Sequence, residues 1–315
     1  VDRYSENIIV TCENFDETLE FFIGKLGFRL EMISPADSPN VAIISGFGKT
    51  LRLEKVDKIE PFVFNEKLLE STNEFIVTKY DAENSFQKGR AGMEYRDLIP
   101  SRLGGKFIAS HIRIRMGGKV PDYVHFHKIR FQMIYCLSGW AKLVYEDQGE
   151  PFVMNKGDCV LQPPKIRHRV LECSDEFEVL EIATPAIHPT FAEHEITLPN
   201  NIFNPNRIFN GQKFVHHKAE NAIWKAAENF EICDTGISVA TNNLAEVWTM
   251  RATENSTFNL KHSDDFLLYF VRKGTLKLSE KYELSQNDCF VLPKDEEFVI
   301  EVNKGLELIQ VRLQS

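Results

Sequence analysis

Apolar and polar residues alternate over short stretches along most of the chain, and near the N-terminus one segment changes to a helical rhythm. There Phe15, Leu19, Phe22 and Leu26 fall on one helical stripe, Asn14 and Glu17 are placed as a capping box, and Gly27 supplies the stop. Around it Asn7 to Val10, Phe28 to Ile33, Val41 to Ser45 and Thr50 to Glu54 read as strands, with Gly46 and Gly48 at the second turn. Residues 1–57 are therefore predicted to form a compact α+β unit of order βαβββ.

Residues 58–100 read as a bridging segment, with strand-like pieces at Phe75 to Thr78 and Glu94 to Asp97 around a polar stretch, Lys79 to Gly92. Gly104-Gly105 marks a turn. From Phe107 to Ala183 one short strand follows another, separated by turns rich in Gly, Pro and Asp, which is the pattern of a closed barrel or sandwich. Residues 101–198 are assigned to that barrel. Residues 199–211 are crowded with turn formers and mark an interdomain connection, whose aromatic ends predict that it packs down. Residues 212–315 form a further β domain.

Between Gly118 and His168 lies a spaced set of metal-type ligands. His125 and His127, at i and i+2, project from one face of a strand, because side chains alternate across it. Gln132 belongs to the next turn or strand and His168 to a strand further along. Three imidazoles and an amide oxygen converging from a β scaffold suit a first-row transition ion.

The spacing resembles that of the cupin superfamily. The first cupin motif runs Gly, about five residues, His-x-His, three or four residues, Glu, six residues, Gly; here it is Gly118, six residues, His125-x-His127, four residues, Gln132, six residues, Gly139. The second runs Gly, five residues, Pro-x-Gly-x-x-His, three residues, Asn; here it is Gly157, five residues, Pro163 to His168, with Glu172 in the Asn place. The departures are Gln132 for Glu, Lys165 for Gly and Glu172 for Asn, and only the first touches the metal. The resemblance implies a jelly-roll (double-stranded β-helix) barrel binding one divalent ion, Zn, Mn, Fe or Ni, through His125, His127, Gln132 and His168.

The last hundred residues repeat this plan. Ser138 to Leu143 is answered by Lys273 to Leu278 at a shift of 135, and Asp158 to Pro163 by Asp288 to Pro293 at a shift of 130. Projected through these shifts, His125 maps to Leu260, His127 to His262, Gln132 to Leu267 and His168 to Phe298. A single histidine cannot hold a divalent ion, so the second copy is expected to be a packed, metal-free barrel. The fold class expected for the whole is mainly β: two cupin barrels preceded by the βαβββ unit. That unit resembles half of a glyoxalase/bleomycin-resistance (vicinal oxygen chelate) domain, in its element order and in Phe21-Phe22 followed by Lys25 to Phe28. The metal ligands of that family are missing from it except at Glu54, which implies a structural or dimerising half-module. A homodimer is the expected assembly, since cupins pair through strand edges and the half-module lacks its complement.

Composition narrows the classes. A net charge of −9 argues against a nucleic-acid partner, and no apolar run approaches the roughly 20 residues that span a bilayer. The start, Val1 to Ser5, is unlike a signal peptide. The six cysteines show no CxxC spacing, and Cys136, Cys159 and Cys289 lie in apolar strand-like runs, so buried free thiols and a cytoplasmic location are expected. Asn255 to Thr257 fits a glycosylation sequon by chance.

A neutral glutamine in place of a carboxylate leaves a divalent ion at +2, which favours polarising a carbonyl or hydroxyl over electron transfer to oxygen. Some cupins acting on unsaturated uronates resemble this site in setting glutamine among three histidines. The function expected is non-oxidative isomerase, lyase or hydrolase chemistry on a small, anionic hydroxy-carbonyl metabolite. A metal-dependent dioxygenase and a non-catalytic binding or sensor protein are the alternatives. Glu181 and Tyr123 are candidates for proton transfer. Tyr135 is set aside, because Gln132 facing inward carries Ile134 and Cys136 inward with it and turns Tyr135 out. Arg113 and Arg115, at strand spacing, could hold a substrate carboxylate. Arg167 and Arg169 point opposite to His168, and Gln162 is left unassigned. His188, His194, His216 and His217 read as surface or hydrogen-bonded histidines.

Overall fold

The computed structural model describes residues 8–56, 71–89 and 92–314. It is mainly β, with two barrels behind a small α+β unit. Asn7 and the first part of the bridging segment, through residue 70, lie outside the described residues.

In the N-terminal unit, strand Ile8–Cys12 pairs parallel with Lys49–Lys55, which lies antiparallel to Val41–Gly46 and through it to Arg29–Ser34. This is the expected βαβββ order. The Asn14 side chain accepts from the Glu17 amide at 3.3 Å and caps the helix Phe15–Glu20. One detail departs from the expectation, because the helix continues as a π turn, Phe21–Lys25. A π turn takes more residues than an α turn, so Phe15, Leu19 and Phe22 stay on the sheet while Leu26 rotates off the stripe and is 40 % exposed.

The open edge of this unit is filled from within the chain. Arg29–Ser34 pairs with Thr190–Ala192, Ile33 opposite Thr190 and Met32 opposite Phe191. One continuous sheet therefore runs from the N-terminal unit into the first barrel, where Thr190–Ala192 pairs with His125–His127. The edge strand Arg29–Ser34 is thus paired with a strand of the barrel.

Each barrel sets a seven-stranded sheet, its large sheet, against a smaller layer, of four strands in the second barrel and of six in the first, where the layer continues into the N-terminal unit as one ten-stranded sheet. The first large sheet runs Val215–His217, Cys159–Leu161, Phe131–Ser138, Phe177–Thr184, Ile108–Ile114, Glu94–Asp97, Gln87–Lys88. The second runs Ile76–Thr78, Cys289–Val291, Phe266–Lys273, Glu307–Leu313, Ala245–Ala252, Phe230–Asp234, Trp224–Ala227, in the same topological order. The repeat read from sequence is also written in the backbone. Gly139 and Gly274, Gly157 and Asn287, and Lys165 and Asp295 are pairs related by the two shifts, and all six have positive φ. At Gly139 a Cβ would come within 2.2 Å of the Ser174 hydroxyl, so that turn requires glycine.

The first strand of each large sheet is exchanged. Ile76–Thr78, which precedes the first barrel, completes the second, and Val215–His217, which precedes the second, completes the first. The boundaries expected at residues 100 and 212 cut across this exchange, and Glu94–Asp97 belongs to the first barrel although it was assigned to the bridge. Sequence order could not show this, because hydrophobic periodicity marks a strand without naming its neighbour. The 199–211 connection packs down as expected: Gly149 donates to the Ile202 carbonyl and Asn204 to the Asp147 carbonyl.

The two large sheets pack back to back. Phe131, Met133 and Tyr135 of one meet a layer containing Phe266, Leu268 and Phe270 of the other, and Phe107 stacks on Phe266 at 4.4 Å. Alternation along the strands then leaves Gln132, Ile134 and Cys136 facing the interior of the first barrel, and Leu267 and Tyr269 facing that of the second. All six cysteines are free and buried.

Candidate metal centre

His125 and His127 project from the three-residue strand His125–His127, and His168 opens the antiparallel strand His168–Cys173 directly opposite His125. The three imidazoles are buried, and their ligand nitrogens lie within 4.8 Å of one another. They stand on the barrel part of the ten-stranded sheet. Gln132 reaches the same cavity from the large sheet, so the site is closed only by folding the barrel.

Ring orientation is fixed from behind. The Nδ1 of His125 lies 2.8 Å from the Tyr123 carbonyl, and that of His168 lies 3.0 Å from the Ile166 carbonyl. A carbonyl only accepts, so each Nδ1 carries the proton and each Nε2 keeps its lone pair. Thr190 Oγ1 stands 3.4 Å from His127 Nδ1. On the other sheet, Gln132 donates from Nε2 to Glu181 Oε1 at 3.1 Å. Its Oε1 is buried and has no hydrogen-bond partner. Three clustered imidazoles, two of them oriented by carbonyls, and one orphaned amide oxygen in one cavity fit a divalent cation, which would supply the partner that the oxygen lacks.

The cavity beside them is small, about 70 Å³, and mostly apolar, with Gln162, Glu181 and the tyrosines Tyr95 and Tyr145 as the polar residues described beyond the four candidate ligands. Tyr145, which sequence reasoning passed over, stacks on His168 at 5.4 Å and donates its hydroxyl to Gln162 Oε1. Burial pushes its phenol well above the usual tyrosine range. Strand parity within Trp140–Tyr145 could have found it, since Leu143 and Tyr145 face the cavity together.

Other candidates lie elsewhere. Glu181 lines the cavity, but Tyr123 lines a separate groove against the N-terminal unit, and its carbonyl is what serves the site. Arg113 and Arg115 do not face the cavity; Ile112 and Ile114 do. Arg113 lies over the Phe86 ring at 3.7 Å and pairs with Glu94, and Arg115 meets the same carboxylate at 3.2 Å. The correction follows from parity, since the inward set on this strand is even-numbered. Tyr135 turns out as expected, near Thr249 and under Arg272. Arg167 also turns away, to Glu193 and the Phe126 ring. His194 meets the Leu30 carbonyl, His216 meets Asp158, and His217 meets Cys233. His188 is buried and packs edge-on against His127, with Nδ1 on the Pro185 carbonyl. In the N-terminal unit Glu54 pairs with Arg52.

The second barrel differs from its expectation. Leu260, Leu267 and Phe298 stand where three of the ligands would be, and His262 donates from Nε2 to the Leu292 carbonyl at 3.0 Å. The interior is not packed shut, however, and holds a cavity of about 450 Å³ open to solvent.

Comparison with known proteins bears on this arrangement. Residues 110–183 match the cupin domain family. The matched span holds all four candidate ligands. No curated protein matches the chain. Among solved structures it is similar to oxalate decarboxylase from Bacillus subtilis. A two-residue deletion mutant aligns with TM-score 0.54 and 11 % identity, over 76 % of this chain and 77 % of that one. A structure of the same enzyme from work assigning the fine structure parameters of its Mn(II) centres aligns with TM-score 0.55 and 10 % identity over the same shares. These shares exceed one barrel, so the likeness takes in both; at this identity it establishes the fold. The cupin architecture is thus shared while the chemistry is left to the residues of the site. No helix among the described residues is long and apolar enough to cross a membrane.

Proposed function

We propose that the first barrel holds one divalent transition ion through His125, His127, His168 and Gln132 and uses it for non-oxidative chemistry on a small, anionic hydroxy-carbonyl compound. The observation that carries this reading is the unpartnered Oε1 of Gln132, buried in the same cavity as three imidazoles, two of which, His125 and His168, direct their protons to backbone carbonyls and away from it. When bound, the ion supplies Lewis acidity, undiminished by any carboxylate ligand. Among the described cavity residues there is no Lys or Arg, so a substrate anion draws its counter-charge from the ion. The volume of about 70 Å³ restricts that substrate to a few heavy atoms.

Glu181 is the residue for proton transfer. It is the carboxylate lining the cavity, and the Gln132 amide fixes one of its oxygens. Tyr145 and Gln162 form a polar pair that bridges the two walls and orients the bound molecule, and the surrounding Ile112, Ile114, Val179 and Met154 exclude water.

The test pairs metal loading with turnover. Protein loaded with Mn(II), Fe(II), Ni(II) or Zn(II) is offered a panel of small 2-hydroxy and 2-oxo acids, oxalate included, with products followed by NMR in the absence of oxygen. Anaerobic turnover that is lost in Glu181→Gln supports the reading. Stoichiometric oxygen consumption would replace it with a dioxygenase, and tight association without turnover with a binding protein.

A further inference from the structure

The cavity of the second barrel is a larger space than the metal-type cavity, about 450 Å³ against 70 Å³, and it sits at the equivalent place between the two sheets. Its walls are apolar and aromatic, with Trp248, Met250 and Phe290 of the large sheet facing Phe258, Leu260 and Ile300 of the small one. Tyr269 stacks on Phe290 at 5.0 Å, which makes a flat floor. In that floor the Tyr269 hydroxyl donates to Gln310 Oε1 at 2.7 Å. The other end of the same amide, Nε2, has no partner, although Gln310 is only 5 % exposed and lines the cavity.

The duplication shows what has changed. Tyr269 and Gln310 are cross-strand partners in the second barrel, as Ile134 and Glu181 are in the first. Gln310 therefore holds the place of Glu181. Where the first barrel sets a carboxylate against four ligand groups, the second sets an amide donor against leucine and phenylalanine. One charged side chain, Glu228 at the mouth, occurs among the described lining residues, and no cation does.

We infer that the second barrel is a binding site for a neutral, largely aromatic carbonyl compound, its rings against Trp248 and Phe290 and its oxygen accepting from Gln310 Nε2. The donor calls for an acceptor oxygen, and the absence of a lining cation together with Glu228 disfavours a carboxylate. A single benzene ring fills a cavity of about 150 Å³, so this one has room for two rings. The inference is independent of the metal reading.

Calorimetric titration with benzophenone, and with diphenylmethane as its carbonyl-free counterpart, tests it. Saturable binding of benzophenone is expected. Gln310→Leu should weaken it about tenfold, the worth of one buried hydrogen bond, and leave diphenylmethane unchanged. Leu260→Arg, which fills the mouth, should abolish both. Where circular dichroism shows Gln310→Leu unfolded, Gln310→Glu keeps the shape, opposes the carbonyl with an acceptor and should lose at least as much. His168→Ala should bind the probe normally. No saturable binding to folded wild-type protein, equal affinity across the folded Gln310 variants and Leu260→Arg, or loss of binding in His168→Ala would each overturn the inference, the last by placing the probe in the first barrel.

Discussion

Gln132 reaches diagonally across the strand pair to Glu181, donating its amide N–H at 3.1 Å, and by doing so leaves its own buried oxygen without a hydrogen-bond partner beside the cavity that the three histidines line. A glutamine free to rotate would present either end. The carboxylate holds the N–H end, so Glu181 is a positioning partner for the candidate ligand as well as the proposed proton carrier. Glu181→Ala is expected to lower metal affinity about tenfold or more, the range for loss of a group that orients a ligand. Competition with a chelator of known affinity reads this out, and unchanged affinity would detach Gln132 from the site.

His168→Ala should abolish stoichiometric metal, whereas His262→Ala should leave it unchanged. His262 donates to the Leu292 carbonyl and faces leucine and phenylalanine at the other mapped positions. Its replacement should cost about 1 kcal/mol of stability through that hydrogen bond. Elemental analysis after dialysis and urea denaturation separate the two effects.

Asp158 and Asp288 are equivalent in the repeat, and each latches the strand region that the other barrel donates. Asp158 accepts from the Ala219 amide at 2.8 Å and from Asn155 at 2.9 Å; Asp288 accepts from Tyr80 and from Ser285, both at 2.7 Å. Both carboxylates are buried. Removing one leaves two amide donors to be satisfied, so Asp288→Ala should destabilise by about 3 kcal/mol in urea denaturation, with a smaller loss for Asp288→Asn.

Burial lowers the affinity of His111, His216 and His217 for a proton, and in His111 it outweighs the Glu178 carboxylate 2.8 Å away. The unfolded chain therefore takes up protons near the ordinary histidine value of about 6.5 that the folded chain does not. Stability should be fully present above that pH and fall as pH drops from 7.5 towards 5.5, flattening below the lowered folded values. Chemical denaturation across this window checks the sign, and His111→Gln should make the slope shallower.

Arg113→Ala should destabilise the fold by about 1–2 kcal/mol, through the lost stacking on Phe86 and the lost pair with Glu94, and leave substrate affinity unchanged. A change confined to KM would return Arg113 to the substrate.

What could be read from sequence is what periodicity and spacing encode locally. His-x-His puts two imidazoles on one strand face whatever surrounds them, and the parity of strand Phe131–Ser138 fixed Gln132 inward and Tyr135 outward before any contact was known. The two repeat shifts located the second barrel and the loss of its ligands. Other features depended on which strands become neighbours. The parity of Ile108–Ile114 had no inward anchor in sequence, so Arg113 looked available until Ile112 and Ile114 were seen to face the cavity. The exchanged strands, the joining of Arg29–Ser34 to the sheet that carries the three histidines, and the Glu181 contact all arise from pairing between distant segments. The second cavity belongs to the same class. Apolar residues facing inward say that an interior exists, but whether it closes depends on the separation of two sheets and the reach of their side chains, and only the assembled barrel sets both.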